Sequence, residues 1–443
     1  MKWYWWIGII IFVGSIVRVL FSMSFPTYRT GGDTVSYYYT APHIVKNFIV
    51  ADPWRTPGYP IIIALPYLLE GKEMPRVISQ FDFIPEFWSI RVAQIVTGIL
   101  TLVVLFFLLR ALGVSDNHAG AFTLFTACSY PLLLFEYYLV PESFAIFCLM
   151  GTVILTIFLL KRFRMWQFLL LMILSIFGFL LRPMSILLPV IFIFILVWHW
   201  RTRKVFAASI VAIIMYAGFL TWYSQANYAL YQYRGISRIS DVNILGKILA
   251  YHIPVDSAAD SNGVKTIIST YMKGSYNPDP WQVFLQNGAL YSASSAMPLH
   301  EFVYDVLKHN ILIYITKATV DIPSNMVSMA LGNEKMDAPG FMGRVFFLLS
   351  KIYQYIQIVD LLLVGIVPVM LFVSWRHHTV RNDGILLFSL VGLYHIIAAN
   401  YVSYSDYMRL MGIAQPIMLF VSFWFLFQLI GAVQRRWRRA RTE

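Results

Sequence analysis

The sequence has little charge and almost no cysteine. Only 13% of its 443 residues are Asp, Glu, Lys or Arg, against roughly 25% in soluble domains, which excludes an ordinary soluble globular fold. The two cysteines, Cys128 and Cys148, lie in apolar stretches and are too few for a disulfide framework or a cysteine-based metal site. The sequence also lacks a P-loop and a dinucleotide-binding glycine motif, so nothing in it indicates a soluble nucleotide substrate.

Long apolar runs are abundant instead, and 59% of all residues are hydrophobic. A helix needs roughly 17–25 mostly apolar residues to span the hydrocarbon core of a bilayer. Ten runs approach or reach this length, at about 3–23, 88–109, 118–136, 138–160, 166–181, 183–199, 205–225, 345–375, 384–400 and 408–433. We therefore predict an all-α polytopic membrane protein with about ten transmembrane helices.

One further apolar run is too short to cross the bilayer. Run 59–69 contains eleven residues, among them Pro60 and Pro66. At about 1.5 Å per residue a helix of this length falls well short of the hydrocarbon core. We interpret the run as an interfacial or re-entrant helix within the first outer loop.

The net charge of +12 indicates topology rather than nucleic-acid binding, because much of it lies in short clusters beside the apolar runs. These clusters are 161–164, 201–204, 376–378 and 435–439. If 59–69 does not cross, all four fall on one side, which the positive-inside rule makes the cytoplasm, and both termini lie there as well. We expect the clusters to attract anionic membrane lipids. Loops 24–87 and 226–344 then lie outside the cell.

The first outer loop begins with Gly31-Gly32-Asp33, followed four residues later by Tyr37. The glycines allow backbone conformations that bring a carboxylate close to another group. Residues four apart share a face if the segment is helical, so Asp33 and Tyr37 would point the same way. A carboxylate at the mouth of a membrane cavity indicates a functional site. The alternative is that Asp33 only caps a short interfacial helix.

Two more candidates follow along the chain. Arg55 opens the segment Arg55-Thr56-Pro57-Gly58-Tyr59-Pro60, where proline and glycine allow a loop to fold back onto the membrane. Glu136 and Glu142 flank the short outer link between the third and fourth spans, which places both carboxylates at the mouth. The alternatives are a generic helix entry for the first segment and a dipole-stabilised first-turn position for Glu142.

Arginine recurs at two further outer links. Arg182 separates two short spans, and a guanidinium below the membrane surface is costly unless it meets an anion such as phosphate. The alternative is that Arg182 extends to the lipid headgroups. Tyr407 and Arg409 precede the last span, and Arg409 could instead pair with the neighbouring Asp406.

These features occur in an order that resembles the GT-C superfamily of integral membrane glycosyltransferases. The branch in question holds protein O-mannosyltransferases and bacterial lipid A aminoarabinose transferases. The resemblance is carried by Gly32-Asp33 with Tyr37, the segment 55–60, Ser89-Ile90-Arg91, Pro141-Glu142, Leu181-Arg182-Pro183 and residues 407–409. It covers about residues 1–200 well. Two features depart from it: Thr34 stands where many members carry Glu, and ten spans are fewer than the best-known members have.

The resemblance implies transfer of a sugar from a polyprenyl-phosphate carrier to an acceptor hydroxyl on the extracytoplasmic face. Asp33 would be the general base, and Arg182 with Arg409 would stabilise the leaving phosphate, with inversion at the anomeric carbon. Tyr37, Arg55, Glu142 and Tyr407 would bind substrate. No cofactor is certain, and whether Asp33 and Glu142 hold a divalent cation stays open. The acceptor is a glycan, a lipid or a protein.

Under this interpretation residues 1–225 form a transmembrane catalytic half, 226–344 a small helical extracytoplasmic subdomain, and 345–443 the last transmembrane helices with a basic cytoplasmic tail. From the compact size we expect the plasma membrane of a bacterium. Two alternatives remain: a polymerase or ligase for lipid-linked glycans, and a lipid or sugar transporter. The sequence has no internal repeats and its charges crowd the ends of the spans, which gives a transporter little support, although Pro131, Pro189 and Pro368 interrupt spans.

Overall fold

The architecture is all-helical in the part of the chain that the computed structural model describes. That part comprises residues 2–24, 32–47, 50–74, 86–256, 258–260, 263–274, 280, 282–283, 290, 296–328, 341–404 and 407–442. The first ten helices are α1 (Trp3–Ser24), α2 (Gly32–Asn47), α3 (Gly58–Glu70), α4 (Glu86–Ala111), α5 (Asp116–Ala127), α6 (Tyr130–Tyr137), α7 (Glu142–Lys161), α8 (Met165–Leu181), α9 (Leu188–Trp200) and α10 (Arg203–Tyr231).

The remaining helices are α11 (Arg238–Ala250), α12 (Val264–Gly274), α13 (Ala296–Val320), α14 (Ile322–Ser328), α15 (Phe341–Gln357), α16 (Leu363–Arg376), α17 (Val380–Val402), α18 (Tyr407–Gly412) and α19 (Gln415–Thr442). Short 3₁₀ turns at Pro183–Leu187 and Ile358–Leu362 lead into α9 and α16.

The predicted polytopic membrane fold is confirmed. Among the described residues, 8 helical segments are long and apolar enough to cross a bilayer, or 9 if the bent pair α5–α6 is one span. The tenth expected span is helix α8, whose 17 residues lie at the lower end of the length that crosses hydrocarbon. The short run 59–69 forms α3, and its 13 residues are too few to cross.

Helices α7 and α17 form the centre of the bundle. In each of them 67% of the most apolar window is buried, compared with 22% in α1 and α10. Helix α7 packs against α4, α8, α9 and α17. An apolar helix in a membrane can face either protein or lipid: α7 and α17 are enclosed by other helices, whereas α1 and α10 leave wide apolar faces for lipid. Glu142 therefore begins one of the two most enclosed helices among the described spans.

The third span is not the continuous helix that we expected over 118–136. Helices α5 and α6 meet at an angle of 51° around Cys128 and Ser129. Ser129 has extended backbone angles, and Pro131 at the start of α6 cannot donate a backbone hydrogen bond to α5. The hydroxyl of Ser129 instead donates to Gln415 Oε1 at 3.0 Å, which ties the break to the last helix.

The prediction for the last span, 408–433, also placed the start of the long helix too early. Residues Tyr407–Gly412 form the separate short helix α18, and the long helix α19 starts only at Gln415. Pro416 in the first turn of α19 has no N–H to donate to α18. The break lets α18 approach the start of α7, where Arg409 contacts Glu142.

The segment between α1 and α4 contributes α2 and α3, which pack against each other. Helix α3 approaches the end of α8 so closely that a Cβ on Gly58 would lie 2.6 Å from the backbone of Leu180 and Leu181. Only glycine fits this contact without displacing a helix. Arg182 directly follows Leu181 in the chain, so the packing of Gly58 fixes the backbone position of Arg182.

Helices α11 to α13 lie between α10 and α14 in the chain and share an apolar cluster of their own. Its members include Val242, Ile248, Phe302 and Val306. Helix α13 is kinked at Asn310, whose side chain donates to the carbonyl of Pro254 at 3.1 Å. The cluster gives these helices a hydrophobic core separate from that of the transmembrane bundle.

We predict that Gly58→Ala destabilises the protein by about 1–3 kcal/mol, the usual cost of forcing an atom into a well-packed contact. The measurement is the Tm of the purified protein in detergent. Gly218→Ala in α10 is the matched control, because its Cβ would meet no atom within 4 Å. A helix gains about 0.5–1 kcal/mol when alanine replaces glycine, so the control should not lower Tm. Equal Tm changes in both variants would contradict the close contact.

Candidate functional site

Asp33 lies in the first turn of α2 and joins two distant parts of the chain. One carboxylate oxygen pairs with Arg55 and the other with Arg409. Its side chain is 27% exposed, so it remains accessible to a ligand. The hydroxyl of the neighbouring Thr34 donates to the carbonyl of Leu139 at 2.8 Å. Thr34 therefore anchors α2 to the link before α7.

Arg55 is held on several sides. Its Nε donates to Ser36 Oγ at 2.8 Å, and its guanidinium lies 4.5 Å from the centre of the Tyr37 ring. The turn before it is closed by Asp52, whose carboxylate accepts the backbone N–H of Arg55 at 2.8 Å. Arg55 is therefore preorganised to hold Asp33, and Tyr37 lies beside its guanidinium.

Glu142 is fully buried at the start of α7, directly after Pro141. Its carboxylate pairs with Arg182, which has extended backbone angles between α8 and the following 3₁₀ turn. The Nε of Arg182 is buried and has no hydrogen-bond partner among the described residues. Arg182 therefore retains a donor for a ligand while one side of its guanidinium holds Glu142.

Arg409 connects the two carboxylates. Its Nε lies 2.9 Å from Glu142 Oε1, and its Nη1 pairs with Asp33 Oδ2. Asp406, the alternative partner that the sequence offered, lies outside the described residues. Helix α18 thus brings a residue from near the end of the chain to helix α2.

The cluster of Asp33, Glu142, Arg55, Arg182 and Arg409 contains three guanidinium groups and two carboxylates, so its formal charge is +1. Burial alone would raise the pKa of the Asp33 carboxyl, but Arg55, Arg409 and Arg182 outweigh it and hold this pKa well below its usual range. Asp33 is therefore ionised and, in this state, weakly basic. The surplus positive charge favours an anionic ligand.

A cavity of about 610 Å³ opens beside the cluster. Tyr37, Arg55 and Arg182 line it on the side of the cluster, and Met184, Ile186, Leu220 and Leu410 contribute apolar surface from the transmembrane helices and α18. Ligand sites typically have volumes of roughly 300–1,000 Å³, and the volume of this cavity falls within that range.

Two residues singled out from the sequence lie elsewhere. Glu136 was expected at the mouth with Glu142, but its carboxylate accepts a hydrogen bond from the buried Arg18 of α1 at 2.6 Å. This pair lies in a separate small pocket. Tyr407 accepts a hydrogen bond from Lys247 Nζ at 2.8 Å and is not among the described residues that line the cavity. Its contact holds α18 against helix α11.

Sequence reasoning missed Gln94, although it shapes the site. Its side-chain amide donates to the carbonyls of Phe135, Tyr138 and Val140 at 2.9, 2.9 and 3.1 Å. These hydrogen bonds satisfy backbone carbonyl groups at the end of α6 and in the link between α6 and α7, from inside the bundle. An amide within an otherwise apolar span was the available signal.

The donor set around Asp33 and Glu142 does not fit a divalent cation. Both carboxylates contact guanidinium groups, which repel a metal ion, and no group of three or more His, Cys, Asp or Glu side chains in the described ranges could hold one. Arginine and carboxylate side chains are therefore the groups that this cluster offers to a substrate.

Comparison with known proteins agrees with the resemblance found in the sequence. A family model described as dolichyl-phosphate-mannose-protein mannosyltransferase matches residues 81–222. The GT-C resemblance is confirmed over this segment. The matched residues include Glu142 and Arg182 but not Asp33, Arg55 or Arg409.

Among solved structures, the chain is similar to the archaeal oligosaccharyltransferase AglB from Archaeoglobus fulgidus, solved with an inhibitory peptide and a dolichol-phosphate. The TM-score is 0.44 and the sequence identity 10%. The alignment covers 99% of this chain and 52% of AglB, so the chain spans about half the length of that enzyme. No curated protein matches the sequence.

Proposed function

We propose that the protein transfers a sugar from a polyprenyl-phosphate carrier to an acceptor hydroxyl on the extracytoplasmic face of the membrane. The observation that carries this proposal is the cluster of three arginines and two carboxylates beside the cavity. The matching family is named for enzymes that use dolichyl-phosphate mannose, which supports a prenyl-phosphate-linked donor.

The donor phosphate would bind at Arg182 and Arg409. Their planar guanidinium groups match phosphate oxygens, and the buried Nε of Arg182 has no other hydrogen-bond partner among the described residues. The prenyl tail would leave along the apolar wall formed by Met184, Ile186 and Leu220. As the bond between the anomeric carbon and the phosphate breaks, the electron pair leaves with the phosphate, and the arginines stabilise this charge.

Asp33 would act as the general base. It takes the proton of the acceptor hydroxyl while that oxygen attacks the anomeric carbon, so a single displacement inverts the centre. Arg409 and Arg182 lower the basicity of Asp33 in the free site. A bound phosphate competes for both guanidinium groups, and the Asp33 carboxylate then becomes a better proton acceptor.

In this proposal residues 1–225, together with Arg409, carry the chemistry, and 226–344 is an extracytoplasmic subdomain. The orientation rests on α7, whose site residue Glu142 lies at one end and whose basic cluster 161–164 lies at the other. Twenty helical residues separate the two ends by about 30 Å, the thickness of the bilayer core. The positive-inside rule then places the site outside a plasma membrane, for which we infer a bacterial host, and both termini in the cytoplasm.

Cysteine labelling in a Cys128→Ala, Cys148→Ala background tests this topology. We expect Glu73→Cys after α3 and Thr270→Cys on α12 to react with an impermeant maleimide in intact cells, because both positions are exposed and extracytoplasmic. Arg164→Cys, on the opposite side, should react only after permeabilisation. Labelling of Thr270→Cys without Glu73→Cys would mean that α3 crosses the membrane. Labelling of Arg164→Cys alone in intact cells would reverse the proposed orientation.

The reaction itself is tested with synthetic prenyl-phosphate sugars and purified protein in detergent. We predict that the wild type transfers sugar and that Asp33→Asn lowers the rate by about 10²–10⁴-fold, the usual contribution of a general base. Asn keeps the shape and capping ability of Asp but cannot accept the proton at neutral pH. Donor binding by the variant should persist.

Asp116→Asn is the matched control, because Asp116 also pairs with an arginine, Arg110, at 2.7 Å but belongs to α5. Its rate should equal that of the wild type. A fully active Asp33→Asn enzyme would remove Asp33 as the base and make Glu142 the next candidate. A wild type that transfers none of the sugars offered would contradict the proposed function.

A further inference from the structure

A second polar cluster lines the same cavity as Arg55 and Arg182. It consists of Asp241 on α11, His300 on α13 and Tyr233 in the link between α10 and α11. All three residues belong to the second outer loop, which the chemistry proposed above does not use. The cavity is therefore bounded by a cationic cluster on one part of its wall and by an acidic cluster on another.

Asp241 is fixed in a defined orientation. Its carboxylate is 1% exposed and accepts a hydrogen bond from the Tyr233 hydroxyl at 2.8 Å. His300 Nδ1 lies 3.1 and 3.2 Å from the two carboxylate oxygens. Burial and the adjacent Asp241 carboxylate raise the pKa of Tyr233 well above its ordinary value, so the hydroxyl remains a donor. The position in the first turn of α11 further favours a carboxylate.

The bonding of Asp241 differs from that of Asp33 and Glu142. Those two carboxylates contact arginine, whereas His300 is the only basic side chain among the described residues within ion-pair distance of Asp241. A carboxylate offers about four acceptor positions, and the two neighbours do not fill them all. The other ring nitrogen of His300, Nε2, makes no hydrogen bond to any described residue. A buried carboxylate and an imidazole with unused capacity can bind several adjacent hydroxyl groups.

Aromatic rings surround this pair. Tyr304 packs on His300 with ring centres 4.4 Å apart, and both it and Trp54 line the cavity. Trp54 also connects the cluster to the cationic side, because its carbonyl accepts a hydrogen bond from Ser237 at 3.1 Å and Arg55 is the next residue. Aromatic faces beside fixed polar groups suit a ligand with both apolar C–H surfaces and hydroxyl groups, as a sugar ring has.

We propose that Asp241 and His300 form the subsite that binds the hydroxyl groups of the donor sugar while the donor phosphate lies at Arg182. This inference rests on the proposed function, and it assigns the sugar specificity of the site to the second outer loop. A cavity of about 610 Å³ accommodates a sugar phosphate together with the first part of a prenyl chain.

Equilibrium binding tests the subsite without relying on turnover. The probes are farnesyl phosphate and its esters with a hexose, an N-acetylhexosamine and a pentose, and the proteins are the wild type, Asp241→Asn and His300→Gln. We expect the wild type to bind at least one ester more tightly than farnesyl phosphate. Each variant should lose about tenfold or more of that preference, since hydrogen bonds to a charged group contribute this much to affinity. Affinity for farnesyl phosphate itself should not change, which also establishes that the variants are folded.

His309→Gln is the matched control. His309 lies on the same helix as His300 and faces Asp305 at 3.5 Å, but it is 46% exposed and does not line the cavity. Its binding profile should match that of the wild type. The subsite is overturned if no ester binds more tightly than farnesyl phosphate, or if Asp241→Asn and His300→Gln keep the full preference. A wild type that prefers an ester but transfers nothing would contradict the transfer reaction and leave the subsite intact.

Discussion

The relative positions of the helices around the site depend on one arrangement of charges. Three guanidinium groups are held against two carboxylates at the edge of a membrane. Arginine is costly to bury, so Arg182 and Arg409 require Glu142 and Asp33 within hydrogen-bond reach. Each residue of the cluster comes from a different helix or link. The pairing therefore fixes α2, the start of α7, the end of α8 and the short helix α18 relative to one another.

The same constraint explains the irregular features around the site. Helix α3 approaches α8 through Gly58, and α18 is separated from the last helix so that Arg409 reaches Glu142. Gln94 satisfies three carbonyls of the link before α7. The charge that remains after pairing, formally +1, is what a phosphate would neutralise. Helices α11 and α13 add Asp241 and His300 to the wall of the same cavity, and there the carboxylate meets a histidine rather than an arginine.

Hydropathy and the distribution of basic residues were enough to predict the membrane fold, because a bilayer demands long apolar helices whatever their packing. The residues Asp33, Tyr37, Arg55, Glu142, Arg182 and Arg409 were each named from local sequence, and the structure brings them together. Their partners could not be predicted, because Asp33 and Arg409 are 376 positions apart. Asp241 and His300 gave no signal at all, since a single acid and a single histidine in a polar loop are unremarkable until folding places them together.

We propose that the arginine cluster binds a prenyl-linked phosphate. The decisive measurement is the Kd of farnesyl phosphate beside that of uncharged farnesol, for the wild type and Arg182→Lys. We expect the phosphate to bind more tightly than the alcohol, and Arg182→Lys, which loses the guanidinium fork, to weaken phosphate binding by about tenfold without affecting the alcohol. Arg110→Lys, at the partner of Asp116 in another ion pair, should behave as the wild type. Equal binding of phosphate and alcohol, or an Arg182→Lys variant with unchanged phosphate affinity, would show that the arginines do not form a phosphate site.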